Sequence, residues 1–321
     1  NYLCSYIFFL IPQKISDKRI LISSLNWGMG HVARCIPLIN KLQNNNNQIW
    51  IAASLSQQNV FKTYFPELHY LPLLDYPFKF SEKRSFAKSM IISAISLYSR
   101  LIKEKRKVDE WQRLHNFDFI ITDQRYSFRS PNCTSIFLTH QINLPDFRFS
   151  YLFKMIHRYH LKKFNYIWIC DFEDSRLAGK LSMNNKYPNS FYLGPLSRFD
   201  NVDLNATKLF DSTLIISGPE AFREYLLEYY LSKEDNNQKK CIVTPTKFPL
   251  KMYQKYPLLK SMEIHVSSDW KKTDEIILKS KQICSFTGYS TIMDLTCLQI
   301  KADLIPTPGQ HEQIYLHKLH A

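Results

Sequence analysis

Residues 283–313 read ICSFTGYSTIMDLTCLQIKADLIPTPGQHEQ and decide how we interpret the rest of the chain. The apolar run from Gln282 to Phe286 predicts a short strand, which Thr287-Gly288 ends. From Ser290 onward the pattern predicts a helix, and the run from Ala302 to Pro306 predicts a second strand. A polar loop then opens another helix. The stretch therefore has the strand–turn–helix–strand order of an α/β protein.

The turn between the first strand and the helix has the chemistry of an anion site. A glycine at the start of a helix lets backbone N–H groups approach a negatively charged ligand. We expect the hydroxyl of Ser290 or Thr291 to cap this helix, with Asp294 close to the position of a capping-box acid. The sequence thus predicts a phosphate-binding turn around Gly288.

A second turn of the same kind, Asn26-Trp27-Gly28-Met29-Gly30-His31, follows the apolar run from Arg19 to Leu25. Helix and strand patterns then alternate, and further strands are expected at 48–53 and near 68–73. Continuous apolar runs are typical of parallel strands that are buried on both faces. The fold class that we expect is therefore α/β, with two Rossmann-like doubly wound parallel-sheet domains facing a cleft.

The domain boundary is predicted in the polar stretch 200–208, where the alternation of elements pauses. Residues 1–199 would form the N-terminal domain and residues 200–321 the C-terminal domain. This agrees with the prior of about two domains for a chain of this length. The second domain repeats the plan, because a strand from Thr213 to Ser217 again precedes a glycine, Gly218.

The sequence argues against NAD as a ligand. The first turn is similar to the G-x-G-x-x-G motif, but Ala33 stands at the third glycine. No acidic residue ends the second strand, where Ala52-Ala53-Ser54 stands, so the group that would hold the ribose is missing.

The net charge of +14 is concentrated in the first part of the chain. Residues 1–196 carry 26 lysine and arginine residues against 13 aspartate and glutamate residues. This excess indicates either lysines on solvated faces or an anionic partner. No nucleic-acid-binding signature is present, so we expect an anionic lipid surface or substrate and no nucleic acid. Two basic and apolar segments, 90–107 and 147–164, either rest on a membrane or pack on the sheet.

The seven cysteines are odd in number and include no C-x-x-C pair, which fits a reducing cytoplasm. The apolar run 90–102 is shorter than the roughly 20 residues that a membrane-spanning helix needs. The run 2–12 lacks the basic start and cleavage site of a signal peptide. We therefore expect a cytoplasmic protein whose only membrane contact is peripheral, at the inner face of the cell membrane.

Polar residues follow two predicted strands of the first domain. Asp123 and Arg125 come after the run 117–122, and His140 comes after the run 134–139. Open α/β sheets bind ligands beyond the carboxyl ends of their strands. Asp123 is therefore a candidate base, and Arg125 and His140 are candidate contacts to a substrate, the alternative being ordinary surface polarity.

Four motifs together resemble GT-B glycosyltransferases, and most closely the group that includes MurG. They are the turn 26–31, the segment Gly194-Pro195-Leu196-Ser197-Arg198, the block Thr287-Gly288-Tyr289-Ser290-Thr291 with Asp294, and the loop from Pro306 to Gln313. The resemblance covers most of the chain. It implies that the C-terminal domain binds a UDP-sugar donor and that the N-terminal domain binds the acceptor. It also implies that the UDP-sugar is a co-substrate and that no metal or other cofactor takes part.

The resemblance assigns roles to residues of the donor site. Thr287, Gly288 and Ser290 would face the donor diphosphate, Asp294 would hold the ribose, and Glu312 and Gln313 would reach the hydroxyls of the sugar. The implied donor site consists of Gly218, Thr287, Gly288, Ser290, Thr291, Asp294, Glu312 and Gln313.

The acceptor would meet the first domain, where the resemblance places an important histidine at His31. An imidazole can act as a general base because it titrates near neutral pH. His31 is therefore the first candidate for this role and Asp123 is its rival, while a histidine that only bonds locally at the helix start is the alternative. The implied acceptor contacts are Asn26, Trp27, Gly28, Gly30, Arg125 and His140.

The function that we expect is that of an inverting, metal-independent glycosyltransferase. It would move a hexose, N-acetylglucosamine or a related sugar, from a UDP-sugar to the hydroxyl of an anionic or lipid-linked acceptor. A UDP-sugar 2-epimerase of the same fold and a non-catalytic nucleotide-sugar-binding protein remain the alternatives. GT-B enzymes usually continue beyond the helix predicted at Ala321, so the resemblance leads us to expect a truncated chain.

Overall fold

The computed structural model describes residues 11–77, 86–146, 150–200, 202–233 and 238–320. These residues form two compact units, and the chain passes from the first to the second between Arg198 and Phe199. Part of the N-terminal run 2–12 and the start of the basic segment 147–164 lie outside the described residues.

The first unit is a doubly wound α/β structure. Its elements in chain order are β1 (Arg19–Ser24), α1 (Met29–Gln43), β2 (Gln48–Ala53), α2 (Leu55–Tyr64), β3 (His69–Pro72), α3 (Phe86–His115), β4 (Phe119–Asp123), β5 (Thr134–Thr139), α4 (Ser150–Leu161), β6 (Tyr166–Ile169) and β7 (Ser190–Tyr192). The seven strands are all parallel, in the order β3-β2-β1-β4-β5-β6-β7. After its first residue β1 is buried throughout, as a strand covered on both faces should be.

The second unit repeats this plan with five strands. Its elements are β8 (Ser212–Ile215), α5 (Arg223–Ser232), β9 (Lys240–Thr244), α6 (Leu250–Lys255), β10 (Glu263–Val266), α7 (Trp270–Leu278), β11 (Gln282–Phe286), α8 (Tyr289–Leu298), β12 (Lys301–Ile305) and α9 (His311–His320). The strands are again parallel, in the order β10-β9-β8-β11-β12. The fold class predicted from the sequence, two Rossmann-like parallel-sheet domains, is therefore confirmed.

The strand orders fix where a ligand can bind in each unit. In the first unit the order reverses between β1 and β4, and in the second it reverses between β8 and β11. Crevices open at such switch points, beyond the carboxyl ends of the strands, because the loops on either side turn to opposite faces of the sheet. The glycine turns singled out in the sequence begin there: residues 25–28 follow β1, and Thr287-Gly288 follows β11.

Each unit has its own apolar core. In the first unit, Val108 and Trp111 of α3 pack with Phe117, Ile120 and strand residues on one face of the sheet. The basic, apolar segment 90–107 thus belongs to a single helix whose C-terminal half packs on the sheet, while its side chains before Ser96 lie outside the described residues. In the second unit the largest cluster joins β8, β9 and β11 to α5.

One local prediction was wrong. We expected Ser290 or Thr291 to cap the helix after β11, but α8 begins at Tyr289 and its N-cap is Gly288, without a side-chain capping bond. Ser290 and Thr291 are thus the second and third residues of the helix, and Asp294 lies in its second turn. A residue inside the first turn cannot cap, because the capping side chain comes from the half-in residue before it.

No helix among the described residues is both long and apolar enough to cross a membrane. The six cysteines in this part of the chain are free thiols, and four of them are buried.

Candidate active site

The first cluster of functional side chains lies at the switch point of the first unit. The β1 strand pairs with β4 so that Ser24 lies opposite Asp123, the last residue of β4. Beyond β1 the chain turns at Gly28, whose φ of 139° is strongly disfavoured for residues with a side chain, and enters α1 at Met29. This turn places His31, in the first turn of α1, over the end of β4.

His31 and Asp123 form a direct pair. Nδ1 of His31 lies 2.9 Å from Oδ2 of Asp123. The Asp123 side chain is fully buried, whereas 16% of the His31 side chain remains exposed. Among the residues that the structure describes, none hydrogen-bonds to Nε2 of His31. The pair therefore has a buried anionic end and an imidazole edge that a ligand can reach.

Arg34 holds the carboxylate of this pair from the next turn of α1. Its Nε donates to Oδ2 of Asp123 at 2.7 Å and its Nη2 to Oδ1 at 2.5 Å, which is the two-pronged geometry of strong arginine–carboxylate pairs. Burial alone would raise the pKa of Asp123, but the charges and hydrogen bonds of Arg34 and His31 outweigh it and lower the pKa below 3.8. Burial would likewise lower the pKa of Arg34, but Asp123 raises it overall. Both groups stay charged.

His140 extends the cluster on the far side of Arg34. Nη1 of Arg34 lies 2.9 Å from Nδ1 of His140, and Nε2 of His140 lies 3.2 Å from the side-chain amide nitrogen of Gln141. His140 is only 4% exposed. The residue that the sequence suggested as an acceptor contact thus lies behind Arg34, and the direct contact remains a prediction.

Asn26 ties two loops together. Its side chain accepts a hydrogen bond from the backbone N–H of Tyr76 at 3.1 Å and donates to the carbonyl of Tyr76 at 3.4 Å. The Asn26 side chain thus bonds to both backbone groups of Tyr76, as a neighbouring strand would. These two bonds hold the segment after β3 beside the turn 25–28. Trp27 and Gly30 are half-buried and Gly28 is exposed, so the backbone of this turn is open to a ligand.

Arg125 lies inside the first unit and is 1% exposed. Its Nε and Nη2 both donate to Oε2 of Glu104 in α3, at 2.9 and 2.5 Å, and Nη2 also reaches the carbonyl of Leu74. Tyr76 and Ser127 donate to the other oxygen of Glu104. Arg125 thus links α3 to the segment after β3, and its contact with the acceptor remains a prediction.

The second cluster lies at the switch point of the second unit. Gly218 follows β8 with a φ of 76°, and a Cβ there would meet the ring of Phe286 at 3.4 Å. Thr287 is the first residue after β11, and its N–H donates to the carbonyl of Ile305 at 2.9 Å. The Gly288 backbone is ordinary, and a Cβ on it would meet only Oγ1 of Thr291, at 3.6 Å. A side chain at this position would therefore make an ordinary contact with the first turn of α8.

Two threonines that follow strands of the second sheet have buried hydroxyls without a hydrogen-bond partner in the part of the chain that the structure describes. Oγ1 of Thr287, after β11, and Oγ1 of Thr307, after β12, are buried and accept or donate no hydrogen bond within the described residues. A buried polar group without a partner is costly, so such groups often mark a site that a ligand or water completes.

Of the remaining donor-site predictions, Gln313 contacts Thr307 directly. Gln313, in the first turn of α9, accepts the backbone N–H of Thr307 at 2.8 Å through Oε1, which leaves its amide N–H₂ to bond elsewhere. Glu312 and Asp294 are half-buried, as are Ser290 and Thr291. The structure therefore brings Thr287, Gln313 and the start of α8 to one edge of the second sheet.

The residue that the sequence analysis missed is Arg34. It stands in the apolar run Val32-Ala33-Arg34-Cys35-Ile36, three residues after His31. Residues three apart lie on one face of a helix, so Arg34 shares a face of α1 with His31, and an arginine within an apolar run indicates a buried partner of opposite charge without identifying it. Within the described residues, no group of three or more histidine, cysteine or acidic side chains could hold a metal ion.

Comparisons with known proteins bear on the fold. No family model matches the sequence, and no curated protein matches it. Solved structures do match. The spinosyn rhamnosyltransferase SpnG with thymidine diphosphate has a TM-score of 0.63 at 14% identity, over 94% of this chain and 83% of that chain. LpCGTa with UDP has a TM-score of 0.59 at 13% identity, and MurG from Acinetobacter baumannii has 0.55 at 11%, each with the same coverage.

These similarities and the two parallel sheets establish the fold of the chain, which is the two-domain GT-B fold. At this level of sequence identity the comparison establishes only the fold, since one fold can host many functions. The activity must be argued from the side chains.

Proposed function

We propose that the protein is a glycosyltransferase that moves a sugar from a nucleotide-sugar to the hydroxyl group of an acceptor. The observation that carries this proposal is the pair of His31 and Asp123, with a buried anion behind an accessible imidazole. An acceptor hydroxyl must lose a proton as it attacks the anomeric carbon, and a histidine in this setting can take it.

His31, rather than Asp123, is the base in this proposal. Asp123 is fully buried, and Arg34 holds its pKa low, so it neither reaches a substrate nor accepts a proton readily. Nδ1 of His31 lies 2.9 Å from Oδ2 of Asp123 and 2.6 Å from Nη2 of Arg34, so it can donate to the carboxylate or accept from the guanidinium. We propose the tautomer in which the ring proton sits on Nδ1 and is donated to Oδ2 of Asp123. Nε2 then carries the lone pair, and Asp123 stabilises the imidazolium that forms.

The second unit would bind the donor. α8 begins directly after Gly288, and the partial positive charge of a helix N-terminus stabilises a diphosphate both before and after it leaves. The hydroxyls of Thr287 and Thr307 would complete their hydrogen bonding on this ligand or on water held beside it. Asp294 would accept from the ribose, and Glu312 with the free amide of Gln313 would meet the sugar.

The finer points rest on the sequence resemblance. We propose UDP as the nucleotide, a hexose such as N-acetylglucosamine as the sugar, inversion through a single displacement, no metal, and a relationship to the MurG group. The matched structures of SpnG and LpCGTa hold thymidine diphosphate and UDP respectively, which supports a nucleoside diphosphate in general. The basic first unit favours an acceptor that is anionic or lipid-linked.

The donor site can be tested by thermal unfolding with UDP, GDP, dTDP, their sugars and NAD, in the presence of EDTA or magnesium. A ligand at about 100 times its Kd stabilises the folded protein by about 2.7 kcal/mol. We expect UDP and one UDP-sugar to raise Tm without metal, and Asp294→Ala and Gly288→Trp to lose the effect. Asp211→Ala, at the opposite end of the strands, should keep it. A shift that Asp294→Ala and Gly288→Trp keep would place the donor site elsewhere. No shift with any nucleotide, or a shift with NAD alone, would contradict a nucleotide-sugar donor.

Transfer itself is tested with the UDP-sugar so identified and a panel of acceptors. His31→Ala should lower kcat by about 10²–10⁴-fold, the usual contribution of a general base, while the nucleotide-induced shift in Tm stays. The matched control is His265→Gln, a histidine of β10 that bonds to Glu263. Formation of an epimerised UDP-sugar without acceptor would favour the epimerase, and binding without any turnover would favour the non-catalytic alternative.

A further inference from the structure

A pocket opens on the first unit between α4 and two loops. It is lined by residues 142–144 of the loop after β5, by three residues of α4, and by Lys186 and Tyr187 of the loop before β7. None of these residues belongs to the histidine–aspartate cluster or to the predicted donor site. The pocket is therefore a separate concave site, for which the proposed function gives no role.

The lining of this pocket is basic. Lys154 and Arg158 lie one turn apart on α4, and Lys186 joins them from the loop before β7. Lys154 bonds to the exposed carboxylate of Asp146, whereas neither Arg158 nor Lys186 forms an ion pair within the part of the chain that the structure describes. One acidic group thus compensates one of three cations, and two positive charges remain for a ligand.

His157 forms a neutral wall of the pocket. Its Nε2 donates to the carbonyl of Gln141 at 3.0 Å, and its Nδ1 accepts from the hydroxyl of Tyr126 at 2.7 Å. Burial lowers the pKa of this ring from 6.5 to about 4, so it adds no charge at neutral pH. Ile142 and Leu144 also line the pocket, which gives it an apolar part beside the cations.

Tyr187 gives an observation that is independent of the charges. It lines the pocket and is only 8% exposed, yet its hydroxyl has no hydrogen-bond partner among the described residues. Burial raises the pKa of this hydroxyl and the charge of Arg158 opposes the rise, so the group keeps its proton at neutral pH and lies within the field of the arginine. Buried polar groups normally have a partner, so this donor indicates a ligand that completes the site.

Both loops of the pocket are held in place by asparagine side chains. Nδ2 of Asn143 donates to the carbonyls of Lys180 and Met183, at 2.9 and 2.8 Å. The side chain of Asn184 accepts from the N–H groups of Lys186 and Tyr187 and donates to the carbonyl of Tyr187. A loop that is already ordered costs less to bind a ligand, so the pocket is suited to a small molecule.

A phosphate monoester matches this lining. It carries a charge of about −1.5 to −2 at pH 7 and has three strong acceptor oxygens, whereas a carboxylate would leave part of the positive charge uncompensated. We propose that the pocket binds the phosphate monoester group of a small water-soluble molecule. Arg158 and Lys186 contact the phosphate, the hydroxyl of Tyr187 donates to one of its oxygens, and Ile142 and Leu144 contact the carbon atoms of the ester.

The test is calorimetric titration of the full chain with phenyl phosphate, inorganic phosphate and benzoate. We expect phenyl phosphate to bind, inorganic phosphate to bind more weakly because it lacks the apolar part, and benzoate to bind most weakly because it carries a single charge. Arg158→Gln with Lys186→Gln should raise the Kd of phenyl phosphate by about tenfold or more, because it removes two charged donors. Tyr187→Phe should raise it by about threefold, because it removes one neutral donor.

The matched control is Lys247→Gln with Lys251→Gln, which removes two exposed charges from the second unit and should keep the Kd within about twofold. Gly288→Trp should also keep it, which separates this pocket from the proposed donor site. In the parent protein, phenyl phosphate should slow amide hydrogen exchange in 142–146 and 184–190, a readout that needs no variant. The proposal is wrong if phenyl phosphate does not bind, if benzoate binds as tightly, or if the variant at Arg158 and Lys186 binds like the parent. None of these measurements depends on the transferase activity.

Discussion

Arg34 is the residue that allows Asp123 to remain ionised inside the protein. A buried carboxylate is strongly disfavoured unless charges and hydrogen bonds compensate it, and Arg34 supplies two of the three bonds to Asp123 described above. Its own burial is compensated by the same carboxylate and by His140. The pair is therefore mutually dependent, and the orientation of His31 depends on both members.

Replacing Arg34 with glutamine should destabilise the protein severely. The carboxylate of Asp123 would remain buried with His31 as its main partner, and removing one member of a buried ion pair typically costs about 3–5 kcal/mol. The free energy of unfolding in urea measures this loss. Arg113→Gln, an exposed arginine of α3, is the matched control and should stay within about 0.5 kcal/mol of the parent. Equal losses in the two variants would show that Asp123 does not need Arg34.

Replacing Thr287 should weaken nucleotide binding without lowering the stability of the protein. Its hydroxyl is buried without a partner in the described residues. Thr287→Val replaces this unsatisfied hydroxyl with a methyl group and keeps the shape of the side chain. We expect the free energy of unfolding to stay equal or to rise by about 1 kcal/mol, while the shift in Tm with UDP becomes smaller. Thermal scans with and without nucleotide measure both effects. A loss of stability with an unchanged nucleotide effect would show that the hydroxyl has a structural partner instead.

Among the elements, the strands were the most predictable. The runs 48–53, 134–139 and 282–286 were bounded correctly because each has an apolar centre and is followed by polar or glycine residues. Helix starts were less predictable. We placed residues 26–31 in a turn, but α1 already begins at Met29 because Gly28 makes the turn and Gly30 lies in the first helical turn.

Long-range polar partners were not predictable from the sequence. His31 and Asp123 were proposed as rivals, and nothing local indicated that β1 and β4 are neighbours or that the two side chains meet. The same limit applies to Glu104, which lies in the charged run 103–107 but is buried in the structure. Only the strand order, with its reversal between β1 and β4, brings these distant residues together.

The helix α3 is joined to the loops at the switch point through the single carboxylate of Glu104. Arg125, Tyr76 and Ser127 all donate to it, so Glu104→Ala should lower the free energy of unfolding by about 3–5 kcal/mol. Glu110→Ala, an exposed residue of the same helix paired with Lys107, should cost at most about 0.5 kcal/mol. Urea unfolding measures the free energy of unfolding of both variants. Similar small losses in the two would mean that other contacts hold the loops.

For the molecule as a whole, the distribution of charge lowers the stability of the folded protein at acidic pH. The first part of the chain already has twice as many basic as acidic residues, 26 against 13 in 1–196, and further protonation increases the repulsion within it. Burial lowers the pKa of His157 from 6.5 to about 4, so this ring is neutral in the folded protein. The pKa of His160 is also lowered to about 4, first by burial and then by Lys163.

The direction of the pH dependence follows from these lowered pKa values. The unfolded chain binds a proton at position 157 below about pH 6.5 and the folded chain only near pH 4, so stability is full above pH 6.5 and falls between these values. We expect the free energy of unfolding to fall by about 2 kcal/mol from pH 7 to pH 5 because of His157. In His157→Gln, which can still donate to the carbonyl of Gln141, this loss should disappear even if the variant is less stable at pH 7. Urea unfolding at a series of pH values measures both slopes, and equal slopes would show that His157 is already protonated in the folded protein.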